Sequence, residues 1–222
     1  MLEVKHISKK YKGRQILSDI SFSAAPGECV AIAGVNGCGK TTLLSILAGI
    51  CRPDHGEVLF FGKKAAGRRD FEQNSAYVPQ ENPFIPELSA GDNLRLWFKG
   101  NKRAMLQDLE KGTGARLAIG SFLDVPAGKL SGGQKKRLSI TSALSGKARV
   151  LILDEPGAAL DLKAKEEIIE YVHEFTAGGG ICIITSHELG ELRAADRVLI
   201  LKNGSLIPYD GSLDTDEFIR SL

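Results

Sequence analysis

Short, unbroken runs of apolar residues recur along the chain and alternate with segments whose apolar residues follow a helical period. Residues 29–33, 150–153 and 181–184 form three such runs. Runs of this length without polar positions are typical of strands buried on both faces of a parallel sheet. Helical patterns such as 41–48 and 163–175 separate them. The pattern therefore predicts an α/β fold around a mainly parallel sheet with right-handed crossovers.

Two further patterns flank this predicted core. Near the N-terminus, residues 2–7 and 16–22 partly alternate apolar and polar positions, which indicates an antiparallel β subdomain. Before the 150–153 run, strand signals disappear over a long stretch, and helical patterns separated by glycine replace them. We interpret that stretch as an inserted α-helical subdomain. The predicted parts of a single domain (1–222) are the α/β core (1–82 and 131–222) and the helical lobe (83–130).

Composition and charge exclude several classes of protein. The formal net charge of +2 is too small to indicate nucleic acid or an anionic membrane surface as a partner. Acidic residues flank the basic cluster at 63–64 and 68–69, so we interpret this cluster as a solvated loop. No apolar run approaches the roughly 20 residues that span a bilayer, and the first residues resemble a strand rather than a signal peptide. We therefore expect a cytoplasmic protein with no nucleic-acid partner.

The segment from Gly34 to Thr41 matches the P-loop pattern G-x-x-x-x-G-K-[ST] in full, between a predicted strand and a predicted helix. Its glycines let backbone N–H groups surround phosphates, and the following helix directs its positive end at the same anion. Lys40 can neutralise the outer phosphates, and the Thr41 hydroxyl can bind Mg²⁺. The alternative is a chance match on a glycine-rich turn, which this setting disfavours. The predicted nucleotide-binding residues here are Gly34, Val35, Asn36, Gly37, Cys38, Gly39, Lys40, Thr41 and Thr42.

A second motif closes an apolar run on two acidic residues. Val150 to Leu153 leads directly to Asp154 and Glu155. A buried parallel strand delivers its carboxyl end to the ligand crevice of such a sheet. Asp154 is then placed to act on the Mg²⁺ shell, and Glu155 can polarise an attacking water. Taken alone, the motif could also be a strand that ends in a charged loop.

A third motif, Leu130 to Gln134, is called the signature segment below. Ser131 is a good N-cap, and Gly132 and Gly133 expose backbone N–H groups at the start of a helix. Ser-Gly-Gly alone would indicate only a capped surface helix. In this order and between the other two motifs, the segment predicts a second anion site, formed by Ser131, Gly132, Gly133 and Gln134.

Together, these motifs resemble the nucleotide-binding domain of the ATP-binding cassette (ABC) family along essentially the full chain. The resemblance implies ATP and Mg²⁺ as cofactors and hydrolysis of ATP to ADP and phosphate. It implies that Gln80 links Mg²⁺ and water to the helical lobe, that His187 contacts the γ-phosphate, and that Tyr11 stacks on adenine. Alone, Gln80 and His187 would be surface residues, and Tyr11 could serve in packing. The implied catalytic residues are Glu155, His187, Gln80 and Lys40, and the implied metal-binding residues are Thr41, Gln80 and Asp154.

The chain departs from the family pattern in two places. Gly157-Ala158-Ala159 stands where the family usually has Thr followed by Ser or Asn. Thr141-Ser142 replaces a frequent Ala-Arg pair after the signature segment. The first departure removes hydroxyl or amide contacts that would cross a dimer. Both departures put in doubt the rate of ATP hydrolysis and the coupling between the two nucleotide sites of a dimer. Neither alters the predicted nucleotide site.

The resemblance also implies partners, because the family's signature segment faces the phosphate loop of another subunit. We expect a head-to-tail homodimer, or a heterodimer with another ABC ATPase subunit, with two ATP molecules at the interface. A separate transmembrane permease would form the transport path and hold the chain at the inner face of the cell membrane. The expected docking face lies near Phe84, Ile85, Trp97 and Phe98.

The leading hypothesis is therefore a transport ATPase subunit. A soluble ABC-type switch that acts on DNA or ribosomes is the alternative, but the chain has a single cassette and no heptad stretch. A nucleotide-binding scaffold without turnover is a third hypothesis, which an ATPase assay would separate from the others. The short chain leaves little room for a regulatory C-terminal domain, and this favours an export-type system.

Overall fold

Two β-sheets and eight α-helices make up the part of the chain that the computed structural model describes, residues 1–210 and Phe218. The end of the predicted core, 211–217 and 219–222, lies outside the described residues. The strands are β1 (Leu2–Tyr11), β2 (Arg14–Ala24), β3 (Cys29–Ala33), β4 (His55–Phe60), β5 (Lys63–Lys64), β6 (Ser75–Val78), β7 (Val150–Asp154), β8 (Ile181–Thr185), β9 (Arg197–Lys202) and β10 (Ser205–Tyr209). The helices are α1 (Lys40–Leu47), α2 (Arg68–Asn74), α3 (Ala90–Trp97), α4 (Lys102–Lys111), α5 (Thr113–Arg116), α6 (Gly132–Leu144), α7 (Leu162–Ala177) and α8 (Leu189–Arg193).

The larger sheet has six strands in the order β10-β9-β3-β8-β7-β6. All neighbouring strands in it are parallel except β9 and β10, which form an antiparallel hairpin. Every residue of β3, β7 and β8 is buried, which explains why the sequence of these strands contains unbroken apolar runs. The predicted mainly parallel sheet is confirmed.

Alternate residues of the central strands enter two separate hydrophobic clusters, one on each face of the sheet. On one face Val30, Ile152 and Ile183 pack with residues of α1 and of the N-terminal strands. On the other face Leu151 and Ile184 pack with residues of α6, α7 and the helices that precede them. This two-residue alternation is the side-chain period of a strand, and it gives a layered arrangement with the parallel sheet in the middle.

The N-terminal strands form a separate antiparallel sheet in the order β2-β1-β4-β5. Leu2, Val4 and Ile7 of β1 are buried, and charged residues such as Lys5 lie between them. The predicted antiparallel β subdomain is therefore confirmed, and it contributes one wall of the hydrophobic cluster around α1.

Helices α3, α4 and α5 occupy the stretch in which the sequence loses its strand signals. Ser89 caps α3 by accepting a hydrogen bond from the N–H of Asp92 at 3.0 Å. Leu94 of α3 and Met105 of α4 belong to the same hydrophobic cluster as residues of α6, and so does Phe122, which follows α5. These helices therefore share apolar packing with the core, and the exact division into core (1–82 and 131–222) and lobe (83–130) remains a prediction.

The basic side chains at 63–64 and 68–69 are exposed to solvent, as predicted, but the prediction that they form a loop was wrong. Lys63 and Lys64 form β5, and α2 begins at Arg68. The Asp70 carboxylate accepts hydrogen bonds from the N–H groups of Ala66 and Gly67 and so stabilises the start of α2. Phe71 packs edge-on against the ring of Phe60, with 5.6 Å between centroids. The aromatic contact and the carboxylate cap stabilise a segment whose basic side chains remain exposed to solvent.

Candidate nucleotide site

The phosphate loop (Gly34–Thr41) connects the end of β3 to the start of α1. Gly39 adopts φ = 115°, and a Cβ there would lie 2.9 Å from Cγ2 of Ile16, so only glycine fits without strain. Among the described residues, no side chain caps α1 at Gly39. The N–H groups of the first helical turn are therefore available to an anion, as the sequence motif requires.

Lys40 lies inside the loop and is only 6% exposed. Its Nζ donates a hydrogen bond to the carbonyl oxygen of Gly34 at 2.8 Å and lies 3.4 Å from Oε1 of Glu155. A buried ammonium needs partners of this kind, because its desolvation is otherwise costly. Lys40 is thus held at the N-terminus of α1, where phosphate oxygens could replace these partners.

A polar pocket of about 390 Å³ lies over the loop. This volume is within the range of small-molecule sites. Nine predicted site residues line it together with Ile16, which the sequence analysis missed and which no motif marks. The lining residues are Tyr11, Ile16, Asn36, Gly37, Gly39, Lys40, Thr41, Thr42, Gln80 and Glu155.

Asp154 is 2% exposed and does not line the pocket. Its carboxylate accepts hydrogen bonds from the Thr185 hydroxyl at 2.7 Å and from the Tyr77 hydroxyl at 3.2 Å. Burial, and the charge of Asp154 nearby, raise the pKa of Tyr77 above its ordinary value. Thr185 and Tyr77 lie on the strands on either side of β7, so only the strand order reveals them as partners of Asp154.

Glu155 follows β7 and has a left-handed backbone, with φ = 43°. Its N–H donates to both the carbonyl and the hydroxyl oxygen of Thr185, each at 3.1 Å, and these bonds hold the unusual conformation. The side-chain amide of Gln80 donates to Oε2 of Glu155 at 3.2 Å. Nδ1 of His187 lies 3.8 Å from Oε1. The structure therefore brings Lys40, Gln80 and His187 around one carboxylate.

The signature segment does not line this pocket. The Ser131 hydroxyl oxygen accepts a hydrogen bond from the Gln134 N–H at 3.2 Å, and Gln134 Oε1 accepts one from the Ser131 N–H at 2.9 Å. This reciprocal capping starts α6. Ser131 and Gly132 are exposed, whereas Gly133 is buried against Ala164. The predicted second anion site is thus a surface feature, separate from the pocket of the same chain.

Gly34, Val35 and Cys38 of the predicted loop do not line this pocket. Val35 and Cys38 line a neighbouring hollow together with Arg14 and Asn203. The sulfur of Cys38 lies close to Gly34, where an added Cβ would approach it to 2.7 Å. Their predicted contribution to nucleotide binding therefore depends on their backbone rather than on their side chains.

Gly157, one of the departures from the family pattern, lies against the carboxyl group of Glu191. An added Cβ at Gly157 would lie 1.8 Å from Oε1 of Glu191. Glu191 is 6% exposed, and this burial raises the pKa of its carboxyl group. The carboxyl group thus occupies the space of the side chain that glycine lacks. In the sequence, only the unusual glycine at position 157 indicates a contact here. Nothing in the sequence identifies Glu191 as the residue that it contacts.

We expect Gly157→Ala to lower the free energy of unfolding by about 1–3 kcal/mol, the usual cost of overpacking. The methyl group would collide with the Glu191 carboxyl group, which has little room to move because it is buried. Denaturant unfolding measures the effect. Gly190→Ala is the matched control, because nothing lies within 4 Å of its added Cβ and alanine favours a helix. Equal unfolding midpoints for Gly157→Ala and the parent chain would contradict the contact.

A family model described as "ABC transporter" matches residues 17–158 of this chain. A spermidine/putrescine import ATP-binding protein of Spiroplasma citri is 35% identical over 93% of the chain. The chain spans 60% of the length of that relative. A cytochrome c biogenesis ATP-binding export protein of Escherichia coli O157:H7 is 36% identical over 85% of the chain and 89% of its own length.

A solved structure described as a dimeric bacterial ABC transporter cassette has the same fold. It superposes with a TM-score of 0.81 at 26% identity and covers 96% of this chain and 100% of its own. Within residues 1–210 and Phe218, no helix has the length and apolar character that crossing a membrane requires. The similarity in fold therefore extends over nearly all of the chain.

Proposed function

Since this chain belongs to the ABC transporter family, whose members are ATPases, we propose that it binds and hydrolyses ATP to power transport by a separate membrane permease. One observation carries the proposal. The phosphate loop, Tyr11, Gln80 and Glu155 line a single pocket of nucleotide size, although they come from distant parts of the chain. Binding of a nucleotide requires these motif residues to meet in one pocket, and shared fold alone does not require it.

The arrangement of the pocket supports a definite orientation of ATP. The free N–H groups at the start of α1, together with Lys40, suit the β- and γ-phosphates. Tyr11 lies in the wall of the same pocket with its ring half-exposed, so it can stack on adenine. The pocket thus offers both a phosphate-binding helix start with Lys40 and an aromatic ring for a planar base.

The donor set also fits Mg²⁺. Mg²⁺ prefers oxygen ligands and usually takes only one or two carboxylates together with phosphate oxygens. The Thr41 hydroxyl and the Gln80 amide line the pocket, and Asp154 lies behind them with its carboxylate fixed by two hydroxyl groups. When bound, the ion would neutralise charge on the transferring phosphate. We propose Thr41 and Gln80 as its direct ligands and Asp154 as a residue that acts on its shell.

For hydrolysis we propose that Glu155 accepts a proton from the attacking water. Its carboxylate already has hydrogen-bond contact with Gln80 and lies within 3.8 Å of the His187 ring, so its position is constrained on two sides. His187 would contact the γ-phosphate from the same side. Phosphoryl transfer of this kind depends mainly on positioning and charge neutralisation, which these residues provide.

A second subunit would complete the site. Ser131 and Gly132 of the signature segment are exposed and lie outside the pocket of their own chain. A head-to-tail dimer would bring the signature segment of one subunit over the phosphates of the other, and a related cassette has been solved as a dimer. We propose such a dimer, with a second copy or with another ABC ATPase subunit, closed by ATP and released by hydrolysis.

An ATPase assay on the purified chain tests the core of this proposal. We expect Mg²⁺-dependent release of phosphate that stops when EDTA removes the metal. Release of phosphate that depends on DNA or ribosomes would instead favour the soluble ABC-type switch. Binding of ATP without any release of phosphate would favour a scaffold without turnover.

The permease would dock on an apolar groove between the sheet and the helices that follow it. The groove has a volume of about 380 Å³, and apolar side chains dominate its wall. Phe84 and the half-exposed Trp97 line it, as expected, but Ile85 and Phe98 do not. An exposed apolar groove of this kind is typical of a binding site. We propose that the permease inserts a helix there, which would hold the chain at the inner face of the membrane.

We expect Trp97→Ala to weaken binding to the permease roughly 10- to 30-fold, because a buried aromatic anchor commonly contributes about 2 kcal/mol. Co-purification with the permease from membranes measures this loss. Leu106→Ala is the control, since Leu106 is equally exposed but lies outside the groove. Equal recovery of both variants, or loss of ATPase activity in the isolated Trp97 variant, would argue against docking at this groove.

A further inference from the structure

Lys136 is a charged side chain that is almost completely buried near the start of α6. It is 2% exposed and belongs to the largest fully buried side chains of the described residues. Its Nζ donates hydrogen bonds to the carbonyl oxygens of Pro79 at 2.9 Å and Gln80 at 3.0 Å. Burial lowers the pKa of Lys136 to about 8, although the charges of Asp154 and Glu191 oppose the shift.

The two carbonyl groups that Lys136 holds belong to the segment that carries a predicted catalytic side chain. The Gln80 amide extends from this same backbone to Oε2 of Glu155 at 3.2 Å. At the other end, Lys136 is on the second turn of α6, whose first turn is capped by Ser131. One ammonium group therefore connects the helix of the signature segment to the residue that touches Glu155.

The neighbouring basic residues of α6 make no such connection. Arg137 is 3.4 Å from Glu167 and lies over the ring of Phe122, so it ties α6 to α7 and to the preceding helices. Lys135 is half-buried, and among the described residues the hydrogen bonds to Pro79 and Gln80 come from Lys136 and not from Lys135. The link to Gln80 is thus specific to one of three consecutive cations.

We propose that Lys136 is a positioning residue that couples the signature segment to Gln80 within one subunit. The inference rests on the proposed function, in which the signature segment contacts the ATP of the partner and Gln80 serves the ATP of its own subunit. When the phosphates bound by the partner subunit contact the start of α6, α6 shifts. The hydrogen bonds of the Lys136 ammonium group transmit this shift to the Gln80 backbone. Engagement of the signature segment then shifts Gln80 relative to Glu155 and so changes the rate of hydrolysis in the same chain.

The link makes a prediction that a purely structural lysine would not. Lys136→Met keeps the length of the side chain and its apolar stem but removes the donor. We expect kcat for ATP hydrolysis to fall about 10- to 30-fold, the usual effect of losing charge-assisted hydrogen bonds. The Kd for ATP should change less than about two-fold, because Lys136 does not line the pocket. Lys136→Arg, which can donate to both carbonyl groups, should restore most of the rate, and Lys135→Met should leave it unchanged.

A double-mutant cycle with Gln80→Ala tests whether Lys136 affects kcat through Gln80. If Lys136 acts through Gln80, then Lys136→Met lowers kcat by less than about two-fold in the Gln80→Ala background. Losses that multiply in the double variant, or an unchanged kcat in the single variant, would overturn the coupling. If Lys136→Met does not fold, the same cycle is run with Lys136→Gln, which keeps an uncharged NH₂ donor group. If the parent chain itself does not hydrolyse ATP, the proposed function fails together with the coupling. If the parent chain hydrolyses ATP and the cycle gives the opposite result, only the coupling fails.

Discussion

Replacing Glu155 with glutamine should reduce ATP hydrolysis by about 10²- to 10⁴-fold, the range that loss of a general base produces. The amide has the same shape as the carboxylate but cannot accept a proton from water. It also removes a negative charge that lies 3.4 Å from Lys40, on the side where the γ-phosphate would bind. We therefore expect ATP to bind at least as tightly and to accumulate in a stable dimer. Steady-state phosphate release and size-exclusion chromatography with ATP measure the two effects.

Glu174→Gln is the control for this experiment. Glu174 pairs with Arg116 at the surface, away from the pocket, so its loss should change neither rate nor assembly. A Glu155 variant that hydrolyses ATP at the parental rate would exclude Glu155 as the base. A variant that loses hydrolysis but stays monomeric with ATP would exclude the ATP-closed dimer and leave the assignment of the base intact.

Lys40→Met should weaken ATP binding by at least about 3 kcal/mol, or roughly 100-fold, because it removes the only charge from within the phosphate loop. The methionine side chain retains most of the apolar contact of the lysine stem. It cannot replace the hydrogen bond to Gly34 or balance the charge of Glu155, so those two groups should also repel phosphate more strongly. Titration with a fluorescent ATP analogue measures the change in Kd.

Lys63→Met tests whether loss of any lysine gives the same result. Lys63 is exposed on β5, at the edge of the antiparallel sheet. The Lys63→Met variant should therefore bind ATP with the Kd of the parent chain. Thermal unfolding without nucleotide should be measured for both variants, since a misfolded loop would also lower affinity. A Kd within three-fold of the parent for Lys40→Met would contradict the role of Lys40 in phosphate binding.

The motif residues could be predicted from sequence because their chemistry requires particular residue types at a fixed local spacing. A glycine-rich turn before a helix, or two acids after a buried strand, are properties of consecutive residues. The antiparallel and parallel sheets were also predictable, because their side-chain periods differ visibly. The basic cluster at 63–64 and 68–69 was correctly predicted to be solvated but wrongly predicted to be a loop. The pairing of β5 with β4 and the packing of Phe71 against Phe60 join different elements, so the local charge pattern does not reveal them.

Contacts that join distant residues could not be predicted in the same way. Lys136 follows the signature segment and looks like one of three solvated cations, but the fold brings Pro79 and Gln80 to it. The hydroxyl groups around Asp154 come from neighbouring strands whose order the sequence does not state. Such partners depend on strand order and helix packing, which alternation of polar and apolar residues does not determine.

The contact between Gly157 and Glu191 also limits how this protein can change over evolutionary time. A lineage that began from this sequence would lose stability on acquiring threonine at position 157, because the new side chain would displace the Glu191 carboxyl group. A shorter residue at position 191 would remove this clash. The effects of substitutions at the two positions should therefore not be additive, and the order in which they arise sets the stability of the intermediate chain.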